Sequence, residues 1–177
     1  MNDLEDRVEV QQIALSDANG ETMLVLREDF ESGSATGNAS IAISEDADGR
    51  FRKISVPMRR FDDVLTEMGK AKYLVAKVDI EGHEDFFLRG AQEWLHRDRP
   101  IILTEINNWF YQKRGTTSSA VFAPSLPDGY ETALLREDGA TSRLEACPIE
   151  ALAGLRRVET CLMYPAERLD DLHEAIG

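Results

Sequence analysis

Around residues 77–83 the chain reads KVDIEGH, and ionisable side chains recur at every second position: Lys77, Asp79, Glu81 and His83. Carboxylates near a hydroxyl can act as general bases, and an imidazole can do the same near neutral pH. The same groups can also hold a divalent cation. A further carboxylate, Glu105, comes near the end of the apolar run PIILTEI, with Asn107 and Asn108 just after it. If these two runs are neighbouring parallel strands, three carboxylates and His83 meet at their carboxyl ends, where open α/β sheets bind ligands. Simpler roles compete with this one. Asp79 can bond the following turn, Glu81 can cap the next helix, and Lys77 is the counter-charge that Asp79 would want. DxExH on one strand lacks the ligand spacing of an HExxH helix, so a metal is weakly indicated. No GxSxG elbow supports a serine-hydrolase triad, and His96 and His173 read as surface positions on helices.

The elements that would place these residues follow from periodicity. Leu74, Val75, Ala76, Val78 and Ile80 predict a buried strand within YLVAKVDI, and Gly82 predicts the turn that ends it. Phe87, Leu88, Ala91, Trp94 and Leu95 form the apolar stripe of one following helix. Gly90 sits inside that stripe at a cost of about 1 kcal/mol against Ala, which close packing on a sheet would explain. PIILTEI reads as a strand covered on both faces. Upstream, VEVQQIAL (Val8 to Leu15) and ETMLVLRE (Glu21 to Glu28) read as strands, with Asp17 to Gly20 as a hairpin turn between them. A Gly/Ser/Ala-rich loop follows, with a short strand at Ala39 to Ile43. FRKISVPM is then a strand that Pro57 marks as reaching an edge. In the next segment Phe61, Val64, Leu65 and Met68 give a helix that Gly69 closes. Downstream, a helix near Ser118 to Phe122, the strands YETALLRE and VETCLMYP, and a final helix ERLDDLHEAI complete the chain. The helix–strand alternation from Arg59 onward predicts parallel βα units in one domain spanning residues 1–177.

Bulk properties narrow the function classes. The chain has 177 residues, 42% apolar and 30% charged, an ordinary globular composition with enough length for a core. The net charge of −13 disfavours nucleic acid and anionic membrane as partners. No run approaches the ~20 apolar residues of a membrane helix, and the start MNDLEDRVEV has no signal-peptide core. Cys147 and Cys161 lack a CxxC spacing, which points to free thiols in a reducing, cytoplasmic setting.

The string KVDIEGHEDFFLRGAQEWLHRDRPIILTEI resembles the central signature of the FkbM family of S-adenosylmethionine-dependent methyltransferases. VEVQQIALSDANGETML resembles the block before it, and GNASI followed by SVPMRRFDDVL is similar to the loop and V-x-x-x-x-L/F-D-D pattern between them. The resemblance runs from about Val8 to Tyr164. It implies a Rossmann-like class I methyltransferase sheet of order 3-2-1-4-5-7-6, S-adenosylmethionine as cofactor, and O-methylation of a small-molecule or carbohydrate hydroxyl. By position it puts Ala14, Leu15, Ser16 and Asp17 near the adenine and Asp79 beneath the methyl donor. Glu81, His83 and Glu105 would face the acceptor, with Asn38, Ser40 and Asn107 on the substrate side.

By the same resemblance, Val8–Leu15 corresponds to the third strand. The first two strands, with the Gly-rich loop and the ribose-binding acid, are expected to be missing, and a β-hairpin is added after the third strand. Such a chain is expected not to bind S-adenosylmethionine measurably by itself. Its third strand must pair with the fourth, join its own hairpin as a separate flap, or find another chain, and unpaired edges favour self-association. Two other readings stay open: a non-catalytic remnant serving as an interaction module, and a metal-dependent hydrolase using Asp79, Glu81, His83 and Glu105.

Overall fold

The computed structural model describes residues 8–26, 39–42, 49–69, 74–139 and 141–176. Asn38, the Ser32–Gly37 segment, the acidic start and Tyr73 therefore lie outside the described residues. So does Ile43, the expected end of the short strand.

Two sheets form. The smaller contains β1 (Ala14–Ser16), β2 (Gly20–Leu26), β3 (Ala39–Ile41) and β4 (Arg52–Arg60) in the order β1-β4-β2-β3. The larger contains β5 (Val75–Val78), β6 (Ile101–Ile106), β7 (Tyr130–Asp138), β8 (Thr141–Ala146) and β9 (Glu159–Pro165) in the order β5-β6-β9-β7-β8. The first strand, β1, pairs with neither the larger sheet nor its own expected hairpin; it joins the smaller sheet through β4. The turn at Asp17–Gly20 does not make a hairpin. β4 lies between β1 and β2, parallel to β1 and antiparallel to β2. β1 and β2 do not pair with each other because both take β4 as their hydrogen-bonding partner. The antiparallel pair after β1 is instead β2 with β3. Residues 8–13 are irregular, so the predicted Val8–Leu15 strand shrinks to three residues. Pro57 is tolerated inside β4 because β1 begins to pair only at Met58, leaving that stretch with β2 alone.

In the larger sheet, β5 and β6 are parallel, and β9 runs antiparallel between β6 and β7. With β5, β6, β7 and β9 read as the fourth to seventh strands of the implied sheet, their order is 4-5-7-6. The hairpin strand β8 then closes the far edge. β6 is the buried two-sided strand that its composition predicts, with Ile102 and Ile106 almost wholly enclosed. β5 is shorter and more exposed than YLVAKVDI suggests: Val75 is 65% exposed, because β5 is the last strand of its sheet. The strand ends at Val78, so the alternation of Lys77 and Asp79 does not continue to Glu81 and His83, which belong to the turn.

Helices cover the sheet. α1 (Phe61–Met68) carries Val64 and Leu65 into the core, and Gly69 ends it at a positive φ of 100°. The single helix predicted after Gly82 is two: α2 (Glu84–Gly90) and α3 (Gln92–Asp98), broken at Ala91 with φ −118°. Buried Asp62 explains the break's stability, accepting hydrogen bonds from the Glu93 and Trp94 N–H groups, both at 3.0 Å, at the new helix start. Short helices α4 (Asn108–Lys113) and α5 (Ser118–Phe122) and the terminal α6 (Leu169–Ile176) complete the described set. The main core joins Phe87, Leu88, Trp94, Ile106, Tyr111 and Phe122 between α2–α5 and the larger sheet. Among the described residues no helix is long and apolar enough to cross a membrane. Cys147 and Cys161 are both buried free thiols.

Candidate functional site

The turn from Asp79 to His83 has an unusual backbone. Glu81 has a φ of 51° and Gly82 one of 85°. The left-handed region suits Gly82, and a side chain there would also collide with Phe110, whose Cβ lies 2.2 Å from the position a Gly82 Cβ would take. Glu81 has no such freedom, and its conformation is costly unless its surroundings impose it. Buried Glu84 imposes it. One carboxylate oxygen of Glu84 accepts the Gly82 N–H at 3.1 Å and the other accepts the Tyr111 hydroxyl at 2.8 Å. Burial pushes the Glu84 carboxyl above its usual range, against the pull of those hydrogen bonds, and burial also raises the Tyr111 hydroxyl. Strain at Glu81 is thus held by a buried tie between the turn and α4.

Glu81 itself is partly buried. Burial first, then the charges of Asp79, Glu84 and Glu105, raise its pKa above the ordinary carboxylate value. His83 is 9% exposed and stacks on Phe86 at 4.1 Å, with an interplanar angle of 6°. Its Nε2 shares a hydrogen bond of 2.9 Å with Ser16 Oγ. Burial drives its pKa down to about 4, aided by Arg114 and Arg89 and opposed by Asp85 and Asp17. At neutral pH His83 is therefore an uncharged imidazole bound to β1.

An ionic chain ties the same elements together. Asp85, almost fully buried, accepts from Arg114 at 2.7 Å and from Arg89 at 3.0 Å, and Arg89 also reaches Asp17 at 3.2 Å. Both guanidinium groups lie near the Phe86 ring, at 4.2 and 5.0 Å from its centroid. Gly90 brings α2 so near β1 that an added Cβ would stand 1.9 Å from the Ser16 carbonyl oxygen. This is the close packing on a sheet that Gly90's place in the helix called for.

Two cavities flank the turn. The larger, about 680 Å³, lies between the small sheet and the end of β5; its walls include Ala14, Leu15, Ser40, Ile54, Asp79 and Ile80. The smaller, about 180 Å³, is lined by Glu81, Gly82, His83, Phe86 and Arg114, and Ile41 forms part of both. The structure thus gathers Ala14, Leu15, Ser40 and Asp79 around one space and Glu81 and His83 around the next. Ser16 and Asp17 turn instead toward α2, where His83 and Arg89 engage them. Lys77 pairs with Asp79 at 2.9 Å as its spacing suggested, although at the surface. Glu105, near the end of β6, is half-buried and contributes its charge to Glu81. Asn107 caps α4 through its side-chain oxygen, and Asn108 is buried, bonding the Leu152 and Leu155 carbonyls and the Ser118 hydroxyl. Among the described residues no three His, Cys, Asp or Glu side chains cluster as metal ligands.

Sequence reasoning passed over Glu84, Asp85, Phe86, Arg89, Tyr111 and Arg114. Asp85 and Arg89 stand four apart on a helix, a spacing that does signal an ion pair. Arg114 and Tyr111 carry no such mark, since their partners lie 29 and 27 residues away.

A family model described as Methyltransferase FkbM domain matches residues 2–140. Comparison with curated proteins and with solved structures found no match.

Proposed function

The chain belongs to the FkbM methyltransferase domain family, and on that premise we propose that it transfers a methyl group from S-adenosylmethionine to a hydroxyl oxygen of a small-molecule or carbohydrate acceptor. The observation that supports this most is the pair of cavities on the two sides of one strained turn, with Asp79 in one wall and Glu81 in the other. A two-substrate transfer needs two adjoining spaces and a base at their junction.

The larger cavity suits the cofactor in size and chemistry. About 680 Å³ falls within the range of small-molecule sites. Leu15, Ile41, Ile54 and Ile80 offer apolar surface to an adenine, and Asp79 offers a negative charge to a cationic ligand. Bound there, S-adenosylmethionine supplies a methyl group on a positively charged sulfur, which leaves as a neutral thioether. In the smaller cavity the Glu81 carboxylate takes the hydroxyl proton of the acceptor. Its raised pKa makes it a stronger base than a solvated carboxylate. His83 is the weaker candidate: its lone pair is low in basicity and its Nε2 is engaged by Ser16. It acts here as a positioning residue that anchors the turn to β1. Two buried free thiols suit a reducing, cytoplasmic setting for this reaction.

Isothermal titration with S-adenosylmethionine, followed by mass-spectrometric detection of methyl transfer to a panel of glycosides and hydroxylated metabolites, tests the proposal. The cavity beside Asp79 supports micromolar binding, contrary to the expectation drawn from the resemblance alone, with Glu81→Gln lowering turnover by about 10²-fold or more while leaving binding intact. Equal turnover in wild type, Glu81→Gln and His83→Ala would remove both residues from the chemistry. The second reading, a non-catalytic interaction module, is favoured by one feature: no Lys or Arg is among the described residues lining the larger cavity to meet the cofactor's carboxylate. Absence of any binding heat selects that reading.

A further inference from the structure

α4 carries two neighbouring rows of side chains. Phe110 packs against Gly82 of the strained turn, and Arg114, four residues on, lines the smaller cavity. Trp109 and Lys113, also four apart, form the adjacent row, and both are exposed, Trp109 at 43%. The Lys113 ammonium lies 5.6 Å from the centre of the Trp109 ring, which meets Phe110 at a near right angle with 5.0 Å between ring centres. The segment before β9 comes to the same place. Antiparallel pairing sets Ile106 opposite Glu159, and the Asn108 side chain donates to the Leu155 carbonyl at 2.9 Å. Arg156, Arg157 and Val158, all exposed, therefore stand beside residues 107–109. The chain holds 33 acids against 20 bases, and arginines elsewhere, such as Arg89, Arg99, Arg136 and Arg168, reach carboxylates. Among the described residues no carboxylate pairs with Lys113, Arg156 or Arg157.

We propose that Trp109, Lys113, Arg156 and Arg157 hold the distal part of the methyl acceptor, and that this acceptor is an anionic glycoside. The inference rests on the methyl-transfer reading, which puts the reacting hydroxyl beside Glu81. An indole offers a broad apolar face with a polar edge, the surface that the apolar face of a sugar ring fits. Guanidinium groups take a carboxylate or a phosphate through paired, charge-assisted hydrogen bonds. β6 lies between β5 and β9, so two strand spacings, about 10 Å, separate the Glu81 turn from the Arg157 segment. The acceptor thus carries its anionic group about that far from the hydroxyl that reacts. That distance also keeps the anion away from Asp79, Glu81 and Glu105, whose charges would repel it at the cavities.

Tryptophan fluorescence tests the inference. The chain has two tryptophans and Trp94 is 1% exposed, so quenching by a bound sugar reports Trp109. The purified chain is titrated, without S-adenosylmethionine, with a neutral methyl disaccharide, its glucuronate-terminated form and its phosphate monoester. Both anionic sugars are expected to bind about tenfold or more tighter than the neutral one, and the tighter of the two identifies the anion. Arg156→Ala/Arg157→Ala should bring the three affinities to within about threefold of one another without weakening the neutral sugar. Both arginines are exposed, so circular dichroism should report an unchanged fold. Equal affinity for all three sugars, no quenching by any of them, or a preference that survives the double variant overturns the inference. Failure of methyl transfer with the anion preference intact counts against the proposed reaction while supporting this surface.

Discussion

Replacing Gly90 with alanine should loosen the contact on which the candidate site depends. An added Cβ would sit 1.9 Å from the Ser16 carbonyl oxygen and 2.8 Å from the Ser16 carbonyl carbon, both backbone atoms that cannot rotate away. Ordinary contact requires α2 and β1 to separate by about 1.5 Å, and overpacking of this kind costs about 1–3 kcal/mol. A backbone obstacle places the cost near the upper end, about 3 kcal/mol. Alanine recovers about 1 kcal/mol of helix propensity, so the net loss is about 2 kcal/mol. For a chain of this size that corresponds to a fall of about 4–8 °C in Tm. The separation also acts on the hydrogen bond between Ser16 and His83 and on the Arg89–Asp17 pair, which cross the same gap. Gly154→Ala is the control, because nothing lies within 4 Å of its added Cβ and its φ is not in the left-handed region. Urea unfolding followed by circular dichroism compares the three proteins. Gly90→Ala equal to or more stable than wild type, with Gly154→Ala neutral, would refute the idea that α2 is docked on β1 through this glycine.

Further outcomes follow from the buried charges. His83 has its pKa lowered to about 4 from 6.5, so the unfolded chain binds a proton in that interval that the folded chain does not. Stability from this group is therefore full above pH 6.5 and is lost as pH falls toward 4, by at most about 3 kcal/mol. The difference in urea midpoint between pH 7 and pH 4.5 should shrink in His83→Gln; an unchanged difference would show that His83 is not buried as a neutral imidazole. Asp85→Asn leaves Arg89 and Arg114 without their shared buried anion and should cost about 3 kcal/mol, read by the same unfolding assay. A loss below about 1 kcal/mol would mean that the ionic chain is as weak as a surface pair.

The parts of this protein that could be read along the chain are those set by local rules. The stripe Phe87, Leu88, Ala91, Trp94 and Leu95 predicted one helix, and those residues are buried, though in two helices broken at Ala91. PIILTEI predicted a two-sided strand, and the VDIEGHE motif pointed to the family to which the chain belongs. The interval from Lys77 to Asp79 fixed an ion pair because both ends sit on one extended segment. Other features depended on which elements meet. Asp17–Gly20 looked like a hairpin turn, yet β4 inserts between its flanking strands, since strand pairing is a competition among all edges and a turn sees only two. YLVAKVDI reads as interior, but its place at the end of a sheet leaves Val75 in water. The strand ended at Val78, and the Glu84 carboxylate, tied to Tyr111, together with packing against Phe110 holds Glu81 and Gly82 in left-handed conformations. The nature of the site followed from that packing. Of the two candidate bases, His83 is buried against Ser16 and has its pKa lowered, while Glu81 has its pKa raised beside a cavity. Residue type and spacing named the candidates; burial, and for His83 a partner 67 residues away, set their electrostatics.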